Sequence, residues 1–563
     1  MISLLLVCLQ AGQPIQLAEA LQPSQLAAPY QADRAALRRL WSFPWSPAGR
    51  AASRSLQQDW LAALDNLEFS NLSRSEQVEW HLLKNEILHD QAALMAEIRR
   101  EEEVAALVPF AGPLVSLLEA RGFRELPDPE ASASILHESL DRLRQAKKDL
   151  KKNKPEVSAA VARRAARKTA SLRRSLASWF QFGSGYHPLF TWWCQEPWEA
   201  FQGALRDYEN FLEKEIGGLD PKDQDALVGD PIGRQALLEE LAFEWIPYTP
   251  EELIQIAEKE MEWCLRQRKE AAQALGFGDD WKAAQDHVKT LHVEPGEQPA
   301  LIRMLADEAV DFLESRDLLT IPDLAKQVWR MEMMSPQRQK FSPYFTGGEV
   351  ISISYPTAGM DHEDKLMSMK GNNIHFSRAT VHHELIPGHH LQGYMSQRWN
   401  PHRRLYSTPF SVEGWALYWE MRLWELGFPQ TPEDRIGMLF WRAHRCARIQ
   451  FSLSFHLGLW SPEQCVDFLV KAVGHEPRNA EAEVRRSIQG GYGPLYQCAY
   501  LLGGLQLRAL HRELVESGDW SEKAFHDRVL QENSIPIEIL RQAMSDLPWP
   551  SPSSSRWRFY PEF

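Results

Sequence analysis

Between Ala379 and Tyr394 the chain reads ATVHHELIPGHHLQGY, which places His382, His383, Glu384, His389 and His390 within nine residues. Histidine is the commonest metal ligand among side chains. A hydrolytic zinc site wants three protein ligands and one open position, where a water has its pKa lowered towards ~7. In the helical motif H-E-x-x-H the two histidines share a face and the glutamate between them serves as general base. His383-Glu384 begins that motif, but Pro387 stands where the second histidine belongs, and the next candidate is His389. Six residues on a straight helix rotate by ~600° at ~3.6 residues per turn, so the two rings would face different ways. Proline lacks an amide donor and glycine relaxes the backbone, so Pro387-Gly388 predicts a kink or a two-residue bulge that returns His389 to the face of His383.

A third ligand is found downstream in FSVEGWALYWE. Glu413 lies 24 residues beyond His389, a gap that suits a loop and a returning helix, and Glu420 follows on the same helical face as an orienter of the ligands. His382 and His390 are alternates to His383 and His389. The pairs His362-Glu363 and His475-Glu476 lack a second histidine nearby and read as solvated surface.

Most of the chain that must position these groups reads as amphipathic helix. SRSEQVEWHLLKNEILHDQAAL, from Ser73 to Leu94, has apolar residues at helical spacing behind a capping serine. The segment from Thr249 to Phe277 opens with Thr-Pro-Glu-Glu, a cap, a first-turn proline and two acids, and stops at Gly276. Two short stretches break the pattern: GGEVISISYP (Gly347–Pro356) and NNIHFSR (Asn372–Arg378) alternate as strands do, which predicts a small antiparallel hairpin leading into the site helix. Such a strand could pair with an extended peptide or be purely structural. The aromatic cluster SWFQFGSGYHPLFTWWCQEPWEAF, from Ser178 to Phe201, reads as packing.

The 563 residues carry a formal charge of −14, with basic and acidic residues interspersed, which excludes the footprint of a nucleic-acid binder. The one basic run, Arg142–Arg174, reads as a solvated helical hairpin broken near Pro155. Six cysteines without a CxxC pair indicate free, mostly buried thiols. No stretch approaches the ~20 apolar residues of a membrane span. The first 20 residues, with an apolar run and an Ala-x-Ala, read either as a secretory signal, which would make the protein periplasmic or secreted, or as the start of a cytoplasmic chain. No linker divides the rest, so one integrated unit with two lobes is expected: an N-terminal helical region at 21–245 and a catalytic helical region at 246–563.

The blocks HHELIPGHHLQ, VEGWALYWE, HLGLWSPEQCVDFL, EVRRSI and AYLLGGLQLRAL, in this order, resemble the large bacterial group labelled DUF885, a domain of unknown function. That group is similar to helical, gluzincin-like zinc peptidases related to thimet oligopeptidase and carboxypeptidase Taq. The resemblance implies a mainly α, two-lobed fold with a deep cleft, zinc at its floor and hydrolysis of peptides. It places His383, His389 and Glu413 on the metal, Glu384 as base, and Tyr500 where it would stabilise the oxyanion, with Tyr492 and Tyr496 as nearby alternatives. Arg486 or Arg508 would anchor a substrate carboxylate through its planar fork. The chain departs from the family where Asp-x-Gly-x-His is replaced by Ser452, Ser454 and His456, and where Pro-Gly-Gln is replaced by Pro494-Leu495-Tyr496. These changes leave His456 as a candidate substrate contact and put substrate preference in question. They also motivate the competing expectation, a catalytically inactive helical protein that keeps the cleft to bind peptides or a partner.

Overall fold

A hydroxyl, carboxyl or imidazole residue followed by proline opens helix after helix. Ser46-Pro47, Asp128-Pro129, His187-Pro188, Thr249-Pro250, Thr408-Pro409, Thr431-Pro432 and Ser461-Pro462 each place an accepting side chain at the cap and proline in the first turn. The cap satisfies an amide that the helix leaves open, and proline gives up a donor that has no partner there. In this computed structural model the described residues are 22–43, 45–125, 127–220, 226–339, 344–489, 491–549 and 555–561. The suggested signal at 1–20 lies outside them. The chain is mainly helical, and among the described residues no helix is long and apolar enough to cross a membrane.

Two compact units form, Met1–Leu72 with Leu83–Asp230, and Ser73–Leu82 with Pro231–Phe563. The first contains α1 (Ala27–Leu40), α2 (Pro47–Asp65), most of α3 (Arg74–Val104), α4 (Ala111–Gly122), α5 (Pro129–Lys152), α6 (Ala159–Gly183) and α7 (Pro188–Phe211). The helix begun at Ser73 runs ten residues past Leu94 because MAEIRREEEV has neither glycine nor proline to stop it. The basic run is the hairpin of α5 and α6, open between Lys152 and Ala159 around Pro155. Leu136, Leu140, Leu143, Leu172, Leu176, Phe201 and Tyr208 form its core with Phe110, and the Tyr208 hydroxyl donates to the Leu107 carbonyl at 2.7 Å. The aromatic cluster divides: Trp179, Phe190, Trp198 and Phe201 are buried, whereas Tyr186 and Trp192 are 87% and 82% exposed.

The second unit continues with α8 (Gly233–Phe243), α9 (Pro250–Ala274), α10 (Trp281–Lys289), α11 (Gln298–Glu314), α12 (Asp323–Val328), β1 (Arg330–Met333), α13 (Pro336–Gln339) and β2 (Val350–Ile353). Then come α14 (His362–Gly371), α15 (Ile374–Glu384), α16 (His389–Ser396), α17 (Pro409–Glu425), α18 (Pro432–His456), α19 (Pro462–Val473), α20 (Pro477–Gln489), α21 (Tyr496–His511), α22 (Glu522–Glu532) and α23 (Ile537–Ala543). The expected Thr249 cap forms at α9, and Glu252 completes it as a capping box, with Gly276 in the left-handed region beyond the helix end. Helix α18 is buried along most of its length, as expected of a central helix that packs on every side.

The antiparallel hairpin is not there. β2 pairs in parallel with β1, Arg330 opposite Val350 through Met333 opposite Ile353, and NNIHFSR is the start of α15. The Asn373 side chain accepts from the amides of His375 and Phe376, both at 3.0 Å, and this cap outweighs the strand-like alternation. Ile351 and Ile353 pack with α11 and α15, and the edge of β2 away from β1 is met at Ser352 by Thr346.

Candidate metal centre

Helix α15 carries His382, His383 and Glu384 and ends there. The chain then turns through Leu385-Ile386-Pro387-Gly388, with a cis Ile386–Pro387 peptide, and restarts at His389 as α16. The expected kink or bulge is therefore a break between two helices. Gly388 makes the tight return possible, since a methyl group on its Cα would stand 2.5 Å from the His383 carbonyl carbon and 2.7 Å from the His382 oxygen. Its amide donates to that His382 oxygen at 3.0 Å, and the Trp415 indole donates to the Pro387 carbonyl at 2.8 Å.

This turn brings the rings of His383 and His389 to 4.8 Å between centres, at 89° to each other. Their Nε2 atoms lie 3.6 Å and 3.2 Å from the same oxygen, Oε2 of Glu413. Glu413 comes from α17, which is held against α21 by glycines: a methyl group on Gly414 would be 2.6 Å from the Gly503 Cα. That close crossing sets Glu413 opposite Tyr496, whose hydroxyl donates to Glu413 Oε1 at 2.5 Å. Glu420, two turns on, bonds His383 Nδ1 at 2.7 Å and lies 3.7 Å from Arg445.

The electrostatics follow from burial and these contacts. Burial alone would drive Glu413 up, but His389 and His383 hold it well below the usual carboxylate range. Burial works to lower His383, yet Glu413 and Glu420 raise it to about 9. Burial pushes Glu384 up against the pull of His383 and His389. The residues fit a divalent cation, because Glu413 Oε2 is buried without a hydrogen-bond partner and both neighbouring Nε2 atoms face it.

The other candidates separate clearly. His382 is buried edge-on to Phe428, with its pKa lowered to about 4 by burial, and His390 bonds the Ala325 carbonyl at 2.7 Å, so both alternates turn away. Tyr500 lies nearly parallel to the His383 ring at 6.2 Å, and Tyr492 packs against Tyr496 at 4.4 Å with the rings tilted by 38°. Arg486 faces Tyr492, whereas Arg508 is paired with Glu425 at 2.6 Å. His456 ends α18, eight residues beyond Arg448 and therefore ~12 Å along the axis. His362 is exposed as expected, but His475 is not surface: it is buried and shares a 2.8 Å hydrogen bond with His444, because α18 covers it.

A second cluster, His511, Glu522 and His526, also brings ligand-type atoms together. There, however, Arg422 already sits on Glu522, His526 Nδ1 donates to the Leu318 carbonyl at 2.7 Å, and its Nε2 meets the Tyr418 hydroxyl at 2.7 Å. A cation would have to displace a guanidinium and break buried hydrogen bonds, whereas at Glu413 Oε2 it would replace only contacts with two imidazoles that would themselves be its ligands.

Three contributors to the first site escaped the sequence reading. Gly347 lies directly against Glu384, and Arg445 and Arg448 lie 4.9 Å and 4.5 Å from the Tyr500 ring centre. The available signals were arginines recurring every three residues at Arg442, Arg445 and Arg448 of α18, and a Gly-Gly pair beside a strand.

A solved structure of a candidate lipoprotein of unknown function from Shewanella oneidensis is similar over 93% of this chain and 100% of its own, at 16% identity and a TM-score of 0.67. A candidate lipoprotein from Colwellia psychrerythraea is similar over 94% of this chain and 98% of its own, at 14% identity and a TM-score of 0.55. At such identities the likeness is one of fold. No curated protein sequence matches the chain. The profile of DUF885, described as a bacterial protein of unknown function, matches residues 29–544, so the chain belongs to that family.

Proposed function

We propose that this protein is a zinc-dependent peptidase whose metal is held by His383, His389 and Glu413. The observation that carries the reading is the bare Oε2 of Glu413, buried between two imidazole Nε2 atoms at 3.6 Å and 3.2 Å. Bound there, zinc would bring a water's pKa towards ~7 and polarise a carbonyl. Glu384, its affinity for a proton raised by burial, takes the proton of the attacking water and returns it to the leaving amine. Tyr500, pushed up to about 12 by burial, keeps its proton at neutral pH and donates a hydrogen bond to the carbonyl oxygen as that oxygen gains charge. Tyr496 is committed to Glu413 and orients the ligand instead. Glu420 fixes the His383 ring with Nδ1 bonded, leaving Nε2 for the metal.

The test is metal analysis of the purified protein beside Glu413→Ala and Glu384→Gln, with a fluorogenic peptide library as substrate. The expected result is one zinc per chain, lost in Glu413→Ala; Glu384→Gln keeps zinc and loses cleavage. Turnover surviving in Glu384→Gln would remove Glu384 as base, and saturable peptide binding without cleavage at any pH would make the protein a binder.

A further inference from the structure

Three arginines stand around the tyrosines of the site, and two carboxylates answer them. Arg445 lies 3.7 Å from Glu420, and Arg448 donates to Glu483 at 2.7 Å. Arg486 is the third. The acid that acts on it most strongly is Glu483, already bonded to Arg448. Its guanidinium sits 5.0 Å over the Tyr492 ring, and its Nε is buried without a hydrogen-bond partner. Tyr492 is 41% exposed and packs at a tilt of 38° against Tyr496, which bonds Glu413. Among the described residues Arg486 is thus the one of the three with no ion pair of its own, and it is held two ring contacts and one hydrogen bond from Glu413.

These contacts bound the distance between Arg486 and Glu413 to no more than about four extended residues of ~3.4 Å each. A charged group that close to the scissile bond would select an anion of fixed position. A guanidinium offers the planar pair of donors that a carboxylate accepts.

We infer that Arg486, backed by Tyr492, receives the C-terminal carboxylate of the substrate, so that the site trims short pieces from the carboxyl end of peptides. The inference rests on the peptidase reading and narrows it to an exopeptidase. A side-chain carboxylate near the cut would offer the same chemistry, and the two sources separate experimentally.

The experiment compares the zinc-loaded protein with Arg486→Gln and Arg486→Lys on one hexapeptide of alanine and phenylalanine, made with a free carboxyl end, with a C-terminal amide, with an acetylated amino end, and as the amide with one internal glutamate. The free acid is expected to have a kcat/KM about 100-fold above the amide, acetylation to change little, and Arg486→Gln to bring the acid down to the amide. Arg486→Lys, which keeps the charge but not the fork, falls between and serves where the glutamine variant does not fold. Binding of the same peptides to Glu384→Gln supplies a readout independent of hydrolysis. Cleavage indifferent to acid or amide overturns the anchor and leaves the peptidase reading standing. Rescue of the amide by the internal glutamate moves the recognised carboxylate to a side chain and overturns C-terminal trimming. A preference for the acid that survives in Arg486→Gln overturns the assignment to this residue. Preferential binding of the acid with no cleavage sinks hydrolysis and keeps the anchor, and peptides neither bound nor cut overturn both.

Discussion

Gly347 lies so close to Glu384 that a methyl group on its Cα would stand 2.5 Å from Oε2 of that carboxylate and 2.6 Å from its carbonyl oxygen. The Gly348 amide donates to the same carbonyl at 3.2 Å, so the glycine pair holds the end of α15 in place. In Gly347→Ala the Cβ, carboxylate and carbonyl of Glu384 must give way, and the atoms nearest the added methyl all belong to Glu384 rather than to the proposed metal ligands. Zinc content should remain at the wild-type level and kcat should fall by about 100-fold, the loss that follows a displacement of ~1 Å at a reacting group. Metal analysis and steady-state kinetics on one preparation decide it, and full turnover in the alanine variant would remove Glu384 from the chemistry.

The hydrogen bond between Glu420 and His383 Nδ1, 2.7 Å long and buried, fixes both the tautomer and the ring plane of a proposed metal histidine. Glu420→Gln keeps the shape but can offer its amide nitrogen where an acceptor is needed. Zinc affinity is expected to drop by about 10- to 100-fold. Competition against a chromogenic chelator measures it, and an unchanged affinity would show that Glu420 serves the fold alone.

Much of the site was legible in local sequence. Pro387-Gly388 announced a departure from the helix, and VEGWALYWE supplied Glu413 and Glu420 with the correct facing. The form of the departure was not legible, because a break and a bulge both bring His389 round, and only the contact of Gly388 with the His383 carbonyl distinguishes them. NNIHFSR misled because alternation is a weak signal beside an asparagine that can cap a helix. His475 misled because a His-Glu pair with no second histidine nearby reads as surface, while the burial comes from α18. Partners distant in sequence, such as Arg445 and Arg448 at Tyr500, are invisible to spacing.

The crossing of α17 and α21 depends on Gly503, where a methyl group would be 2.8 Å from the Gly414 Cα and 3.0 Å from the Phe410 carbonyl carbon. These are backbone atoms of a buried helix and cannot swing aside. Gly503→Ala should destabilise the protein by about 1–3 kcal/mol, the range for an overpacked core. It should also weaken zinc binding, since Glu413 adjoins the contact. Denaturant midpoints and metal content are the measurements, and a variant equal to wild type in both would mean that the two helices do not cross so closely.

Glu244 follows α8, is buried, and has one carboxylate oxygen without a hydrogen-bond partner. Burial raises its pKa from the ordinary 4.5 to about 8, and a hydrogen bond with Thr408 offsets only part of this. Between those two values the folded protein holds a proton that the unfolded chain has released. The group's contribution is therefore fully present below pH 4.5 and is lost as pH rises through 8. The slope is about 1.4 kcal/mol per pH unit. Glutamine carries no such proton, so Glu244→Gln should gain on wild type steadily from pH 5 to pH 8 and hold a constant advantage above it. Denaturation curves across that range test the sign directly: an advantage that shrinks with rising pH would mean that the Glu244 carboxylate is stabilised in the fold.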